Sequence, residues 1–383
     1  MIARIALPII IIVLLSTIYF DWKRWSKWRW WQHVLHWVLP VLTIVWTVKL
    51  AKEIDYFPDD IEEMNLYISL LFVFAVPLFL IALFGLIGQI KNKSKIGETV
   101  GLSVSVVVVL LYLYGIFFGF SKLEVCHVEL AFEDLPEAFD GYKIVQFGDA
   151  HVGTLVGKRA ELLHRVVDSI NAQHADMVVF TGDLQNKIPD EIEPHKKILS
   201  SIKAKDGVYS VLGNHDYAEY VGIDDPRKKS LLIGMMINEQ SDLGWKLLCN
   251  TRQRLRRDSA SIVIAGMEND GEGRFPELGD INTTLYGVNR KEFVIMLEHD
   301  PTSWKRKILR HCHAQLTLSG HTHGGQLSIF GWSPAELRYR ECAGLYKIGD
   351  RMLYVTTGIG GVVPFRLGAN AEIVVITLKK KNK

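Results

Sequence analysis

The chain has 383 residues, a net charge of +2, and 22% charged beside 49% hydrophobic residues, so it is long enough for more than one domain. It carries neither a basic stripe nor a basic module interleaved with aromatics, which excludes nucleic acid as a partner. Four cysteines, Cys126, Cys249, Cys312 and Cys342, are scattered without CxxC spacing; this excludes a disulfide scaffold and a zinc ribbon and leaves the redox compartment open.

The hydrophobicity is concentrated before residue 120. Four apolar stretches follow one another there, residues 2–20, 33–50, 65–90 and 99–120, each near the ~20 residues a helix needs to cross a bilayer. Pro8, Pro40 and Pro77 inside them are tolerable where neighbouring helices satisfy the freed backbone. The first stretch has only Arg4 in front and no small-residue cleavage site before Asp21, so it reads as a retained span, not a removed signal peptide. Trp22, Trp25, Trp28, Trp30 and Trp31, interleaved with Lys23, Arg24, Lys27 and Arg29, form an aromatic and cationic belt suited to a membrane surface. His33 and His36 are expected to be interfacial residues with tips reaching water. No acid or base sits in the middle of a span, which argues against a transporter or channel.

Charge also orients the spans. Lys23, Arg24, Lys27 and Arg29 follow the first span, and Lys91, Lys93 and Lys95 follow the third; both loops are expected in the cytoplasm. Lys52 is outweighed by Glu53, Asp55, Asp59, Asp60, Glu62 and Glu63 after the second, and Lys122 is followed mainly by acids up to Lys143. The N-terminus and everything after the fourth span are therefore expected outside the cytoplasm.

After Phe120 the pattern changes to β-prone runs at residues 123–132, 142–147, 177–180, 208–212, 261–265, 293–297, 316–318, 353–355 and 372–378. Leu162, Leu163, Val166, Val167 and Ile170 recur at helical spacing within 159–172, and residues 189–202 have similar character. The alternation predicts an α/β layered domain over 121–383 after a transmembrane region over 1–120. Lys379–Lys383 is a solvated end that stops the last strand.

Several runs end in residues that bind metals, where α/β sheets place their sites. The second ends in Gly148-Asp149-Ala150-His151, the third in Thr181-Gly182-Asp183, and the fourth in Gly213-Asn214-His215-Asp216. The run at 293–297 ends in Glu298-His299-Asp300-Pro301, and 316–318 leads into Gly320-His321-Thr322-His323-Gly324-Gly325. His321 and His323 project to one side if the backbone stays extended, and the flanking glycines let that backbone come close to what the rings hold. Singly each motif is ordinary; a GD is more often a turn. Together and in this order they are hard to produce by packing.

In that order the residues resemble the calcineurin-like metallophosphoesterase superfamily, over 123–378. Gly344-Leu345-Tyr346, Thr357-Gly358-Ile359-Gly360 and residues 366–373 are similar to its membrane-associated or exported phosphodiesterase-like members. Gly148, where many members have Ser, and Ala371, where many have Pro, depart from the pattern at positions that hold no ligand. The resemblance implies a four-layer α/β/β/α sandwich around two metal ions. One would take Asp149, His151 and His323, the other Asn214, His299 and His321, with Asp183 bridging. Two cations ~3.5–4 Å apart need such an anionic bridge, and mixed N/O donors suit Mn, Fe or Zn better than Mg or Ca. The implied reaction is in-line attack on phosphorus by a metal-activated hydroxide, with His215 protonating the leaving oxygen. Asp216 beside it is expected to orient His215 and raise its pKa.

The function expected is thus hydrolysis of a phosphodiester or pyrophosphate by a membrane-embedded enzyme. The substrate is a small molecule or a lipid, in its most specific form a UDP-acylglucosamine or polyprenyl intermediate. A non-catalytic scaffold or regulatory protein that keeps the fold is the alternative, disfavoured because all seven ligand positions and His215 are intact. Arg310-His311-Cys312-His313 maps to no ligand of the family and is read as structural or exposed. His127, His164, His174 and His195 have no partner by spacing and are read as surface or ordinary helix residues. The segment 217–257, with apolar 231–237 and then Arg252, Arg254, Arg256 and Arg257, is read as an apolar helix buried against the sheet, or else as a substrate lid with a basic rim.

Overall fold

The computed structural model describes residues 2–52, 61–223 and 225–381. Glu53, Asp55, Asp59 and Asp60 of the acidic loop, and Lys383 at the lysine-rich end, lie outside them. The chain divides into two compact units, Met1–Phe117 and Phe118–Lys383.

Among the described residues, Ile5–Arg24, Trp30–Lys52, Glu62–Ile90 and Ser94–Gly119 are long and apolar enough to cross a membrane. The fourth helix starts at Ser94, ahead of the expected residue 99, and so includes Glu98. That carboxylate accepts from Tyr19 Oη at 2.9 Å and pairs with Lys23. The third helix widens into a π turn at Leu71–Ala75, with Val76 N donating to Leu71 O. The cause is Pro77, which has no N–H for the carbonyl four residues back and crowds it with its ring. Small residues bring the third and fourth helices together: a Cβ on Gly97 would lie 2.1 Å from Phe84 O, and one on Gly101 2.7 Å from Ile81 Cα. Thr47 Oγ1 with Tyr67 Oη at 2.8 Å and Ser69 Oγ with Tyr112 Oη at 2.9 Å add hydrogen bonds between helices, as apolar surroundings favour. His33 and His36 do not reach outward as expected. His33 pairs with Asp21 and His36 Nε2 lies 3.2 Å from Thr17 O, both on the first helix, because a polar ring beside an apolar helix bonds the nearest available acceptor.

Among its described residues the second unit contains twelve strands: β1 Leu123–Phe132, β2 Lys143–Phe147, β3 Met177–Phe180, β4 Val208–Ser210, β5 Lys246–Leu247, β6 Thr251–Arg257, β7 Ala260–Gly266, β8 Phe293–Leu297, β9 Leu316–Ser319, β10 Gly344–Ile348, β11 Arg351–Val355 and β12 Ala371–Lys380. They form two six-stranded sheets, in the orders β1-β12-β2-β3-β4-β5 and β10-β11-β9-β8-β7-β6. Period-2 alternation assigns each side chain to a layer. Ile144, Val179, Val374 and Ile376 of the first sheet meet Ile264, Ile295, Leu318 and Tyr354 of the second in one core between the sheets. Val145, Val178 and Phe180 face outward onto helix Ala160–Ala172, whose Leu162, Leu163, Val166, Val167 and Ile170 are buried as their spacing predicts. Val263, Val294 and Leu353 face outward beneath Trp304 and Ile308. The result is the four-layer α/β/β/α sandwich expected from the resemblance.

The segment after Tyr217 differs in part. Helix Pro226–Asp242 buries Met236 and Gln240 and leaves Leu231 and Ile237 exposed. The four arginines line no helix and form no rim. They lie on β6, where alternation turns Leu255 inward and Arg252, Arg254 and Arg256 to the other face, while Arg257, on the side of Leu255, covers the rings of Phe139 and Tyr142. There Arg254 pairs with Glu292 at 2.6 Å and Arg257 with Asp176 at 2.9 Å. The parallel strands β2, β3, β4, β8 and β9 all open at their C-terminal ends toward one place, which sets the site.

Candidate metal centre

At the ends of β2, β3 and β9 the chain turns sharply, and the turn aims the donors. Asp149, His151, Asp183, His321 and His323 have φ of 48°, 45°, 61°, 74° and 53°, left-handed values that cost non-glycine residues roughly 1–3 kcal/mol each and persist where surrounding structure enforces them. The neighbouring glycines make room: a Cβ on Gly213 would lie 2.2 Å from Asp183 Oδ1, and one on Gly320 2.3 Å from Asp149 Oδ2.

The seven residues expected to hold metal converge. Asp149, His151, Asp183 and His323 each offer one donor atom, all within 4.8 Å of one another. Beside them Asn214 Oδ1 lies 2.7 Å from His321 Nδ1 and 3.2 Å from His299 Nε2. Asp183 Oδ2 stands between the groups, 3.6 Å from His151 Nε2 and 3.2 Å from His299 Nε2. Donors ~2.0–2.2 Å from a shared ion sit about 3 Å apart, so two adjoining donor sets of mixed N and O type fit a pair of cations. His151 Nε2, His323 Nδ1 and Asp149 Oδ2 are buried without a hydrogen-bond partner, a costly state for polar atoms that bind nothing.

Backbone carbonyls and hydroxyls hold the rings. His299 Nδ1 lies 2.7 Å from Thr181 O, His321 Nε2 3.1 Å from Tyr339 Oη, and Asn214 Nδ2 donates to Tyr220 Oη at 2.7 Å; such outer partners fix ring orientation. Burial pushes His151 down to about 3 and His321 to about 4, and lowers His323 well below its usual value. All three imidazoles are therefore neutral, the form that binds metal. Burial opposes charge on Asp183 too, but His299 and then His215 hold its carboxyl well below the usual range. Burial also disfavours the imidazolium of His299, yet Asp183 outweighs it and raises the ring to about 10.

His215 joins the cluster: its ring centroid lies 4.6 Å from His151 and stacks 4.1 Å from Tyr220. Asp216 does not orient it. In the 3₁₀ turn Asn214–Tyr217, at three residues per turn, adjacent side chains diverge by about 120°. Asp216 therefore points back into the fold, where it accepts the backbone N–H of Asp183 at 2.9 Å, Leu184 at 3.0 Å, Gln185 at 3.4 Å and Gly213 at 2.9 Å. His215 Nδ1 is held by Asn186 O at 2.7 Å, and burial lowers its pKa, where a rise was expected. Asp216 is a clamp on the loops that carry Asp183 and Asn214. Asp216→Ala would leave those buried amides unpaired, and at ~1–3 kcal/mol each the loss is on the order of 3 kcal/mol or more. The check is the thermal midpoint of the full chain in detergent; an unchanged midpoint would contradict the clamp.

Residues outside the site fall into place. His313 Nε2 lies 3.2 Å from Glu292 O, and His127, His164 and His174 are exposed. His195 is buried, in the turn Pro189–His195. Asn186, Tyr220, Tyr339 and Arg366 escaped sequence reasoning. Arg366 is wholly buried and donates to the carbonyls of Thr357, Gly358 and Gly360, fixing the loop whose Gly360 N donates to Asp149 O at 2.9 Å.

Comparison with known proteins gives a match to the family model for calcineurin-like phosphoesterases over residues 142–325. A Danio rerio protein described as a transmembrane protein with metallophosphoesterase domain is 30% identical over 331 residues, 82% of this chain and 72% of that one. YkuE of Bacillus subtilis (strain 168), described as an uncharacterized metallophosphoesterase, is 33% identical over 258 residues, 65% of this chain and 82% of that one. Cj0846 of Campylobacter jejuni, described in the same words, is 31% identical over 255 residues, 65% of this chain and 62% of that one.

Proposed function

The chain belongs to the calcineurin-like phosphoesterase family, and from that premise we propose that its second unit hydrolyses a phosphodiester or pyrophosphate, in its most specific form one linked to a lipid, at a centre of two Mn, Fe or Zn ions. The observation that carries this reading is the Asp183 carboxylate standing between His151 and His299, with donors of mixed N and O type on either side. Asp149, His151 and His323 would hold one ion, Asn214, His299 and His321 the other, and Asp183 both. When bound, such ions polarise phosphoryl oxygens and make a nucleophile of water near neutral pH. His215 sits beside this cluster with Nδ1 anchored on Asn186 O, and its ring would give a proton to the leaving oxygen. Burial disfavours its imidazolium, and the negative charge of a phosphoester beside it would favour that form. The four membrane-length helices support a substrate at the bilayer. A panel of soluble diesters, monoesters and lipid pyrophosphates, run with added Mn, Fe or Zn, tests the reading: diesters or pyrophosphates should turn over fastest, and a clear preference for monoesters, or no turnover of any, would refute it.

The same reading places the second unit on the extracytoplasmic face. Its support is the basic residues after the first and third helices, Lys23, Arg24, Lys27, Arg29, Lys91, Lys93 and Lys95. A phosphatase-type reporter fused after Phe120 should be active and a cytoplasm-only reporter silent. The opposite pair of results would move the unit to the cytoplasm, where nucleotide-linked lipid precursors become the better substrates.

A further inference from the structure

Between His323 and Tyr339 the chain leaves the candidate metal donors and returns to them, and on the way it exposes apolar side chains that the fold does not use. Ile329 is 48% and Trp332 49% exposed, Leu337 is 84% exposed, and Phe330 is fully exposed. The turn is built to do this. Ile329 N donates to Trp332 O at 2.9 Å and Trp332 N to Ile329 O at 3.1 Å, with Phe330 and Gly331 at φ of 52° and 82°, a two-residue hairpin turn with both central residues left-handed. Its root is fixed where Ser328 N donates to Leu367 O at 2.7 Å and where a Cβ on Gly368 would lie 2.0 Å from Ser328 O. A bulky aromatic rarely holds a left-handed φ, and with Phe330 fully exposed, no packing inside the chain compensates for it.

We infer that this loop, Ile329–Trp332 together with Leu337, inserts into a lipid surface and holds the candidate metal donors beside it, so that phosphoesters embedded in that surface reach them. A bilayer is always at hand, since among its described residues the chain carries four helices long and apolar enough to cross one. The apolar surface is a narrow protruding turn. A stable protein interface buries ~800 Å² on each partner, which so small a tip does not offer, whereas lipid yields around a wedge. Exposed Arg338 and Arg340 follow Leu337 directly, and aromatic residues beside cations match an interface with anionic headgroups. The loop ends on Tyr339, whose hydroxyl lies 3.1 Å from His321 Nε2, so the wedge is tied to a donor ring. The substrate half of the inference rests on the phosphoesterase reading; the lipid contact does not.

The test places a nitroxide at Phe330→Cys in the full chain with Cys126→Ala, Cys249→Ala and Cys312→Ala, in nanodiscs of zwitterionic and anionic lipid. The ratio of relaxation by oxygen to relaxation by a nickel chelate should be several-fold higher there than at Gly349→Cys, on the exposed turn between β10 and β11. Trp332→Cys serves if Phe330→Cys does not fold. Equal ratios at the two sites would overturn the inference. So would shielding from both reagents in detergent and nanodiscs alike, which would mean a second copy or another protein on the loop. In parallel, Phe330→Glu with Trp332→Glu should lower turnover of a vesicle-embedded phosphodiester several-fold and leave a soluble one unchanged; equal effects on both would overturn the substrate coupling. A lipid-buried label in a chain that hydrolyses no phosphoester would refute the proposed function and support the lipid contact.

Discussion

Asp183→Asn should bind no more than one metal ion per chain and lose turnover by at least ~10³-fold, the upper end of what removing one group that stabilises transition-state charge costs. Asp183 Oδ2 lies 3.6 Å from His151 Nε2 and 3.2 Å from His299 Nε2, so its charge stands between the two donor sets. The amide keeps the size and can still accept from His215 N, which Asp183 Oδ1 does at 2.8 Å. The fold should therefore survive, and the thermal midpoint of the metal-free variant checks that. Normal metal content with normal turnover would remove Asp183 from the bridging role.

His215→Ala is expected to separate substrates that Asp183→Asn does not. It removes a proton donor without removing a metal donor, so alkyl leaving groups should lose ~10²–10⁴-fold, the usual range for general acid catalysis. Nitrophenyl leaving groups need no proton and should lose far less. Because the ring packs between His151 and Tyr220, His215→Gln provides a bulkier control for collapse of that space. Equal losses for both leaving groups in both variants would refute the acid role and leave His215 as packing.

Most of the site was legible because its donors sit within a few residues of strand ends, where sequence order already records spatial convergence. Asp149 and His151, or His321 and His323, are single words in the sequence. What holds them was not legible. His299 is oriented by the carbonyl of Thr181 and His215 by that of Asn186, and every residue has a carbonyl. Tyr339 comes from 18 residues beyond His321, at the end of a loop with no periodicity to place it. Asp216 misled because adjacency in sequence says nothing of direction: one step along a 3₁₀ turn sends the carboxylate to backbone amides instead of the ring. In the fold, β6 was hidden by arginines at alternating positions, the pattern of an edge strand with one inward residue, Leu255, near its centre. β5 is two residues long, too short for any periodicity. Helix Ala160–Ala172, with a continuous apolar stripe, needed no such help.

Metal content of the purified full chain, measured together with turnover of a chromogenic phosphodiester before and after chelation, tests the two-ion centre most directly. Two ions of Mn, Fe or Zn per chain should be bound, with turnover lost on chelation and restored when the metal is returned. One ion or none at full turnover, or turnover indifferent to chelation, would contradict a centre built from Asp149, His151, Asp183, Asn214, His299, His321 and His323.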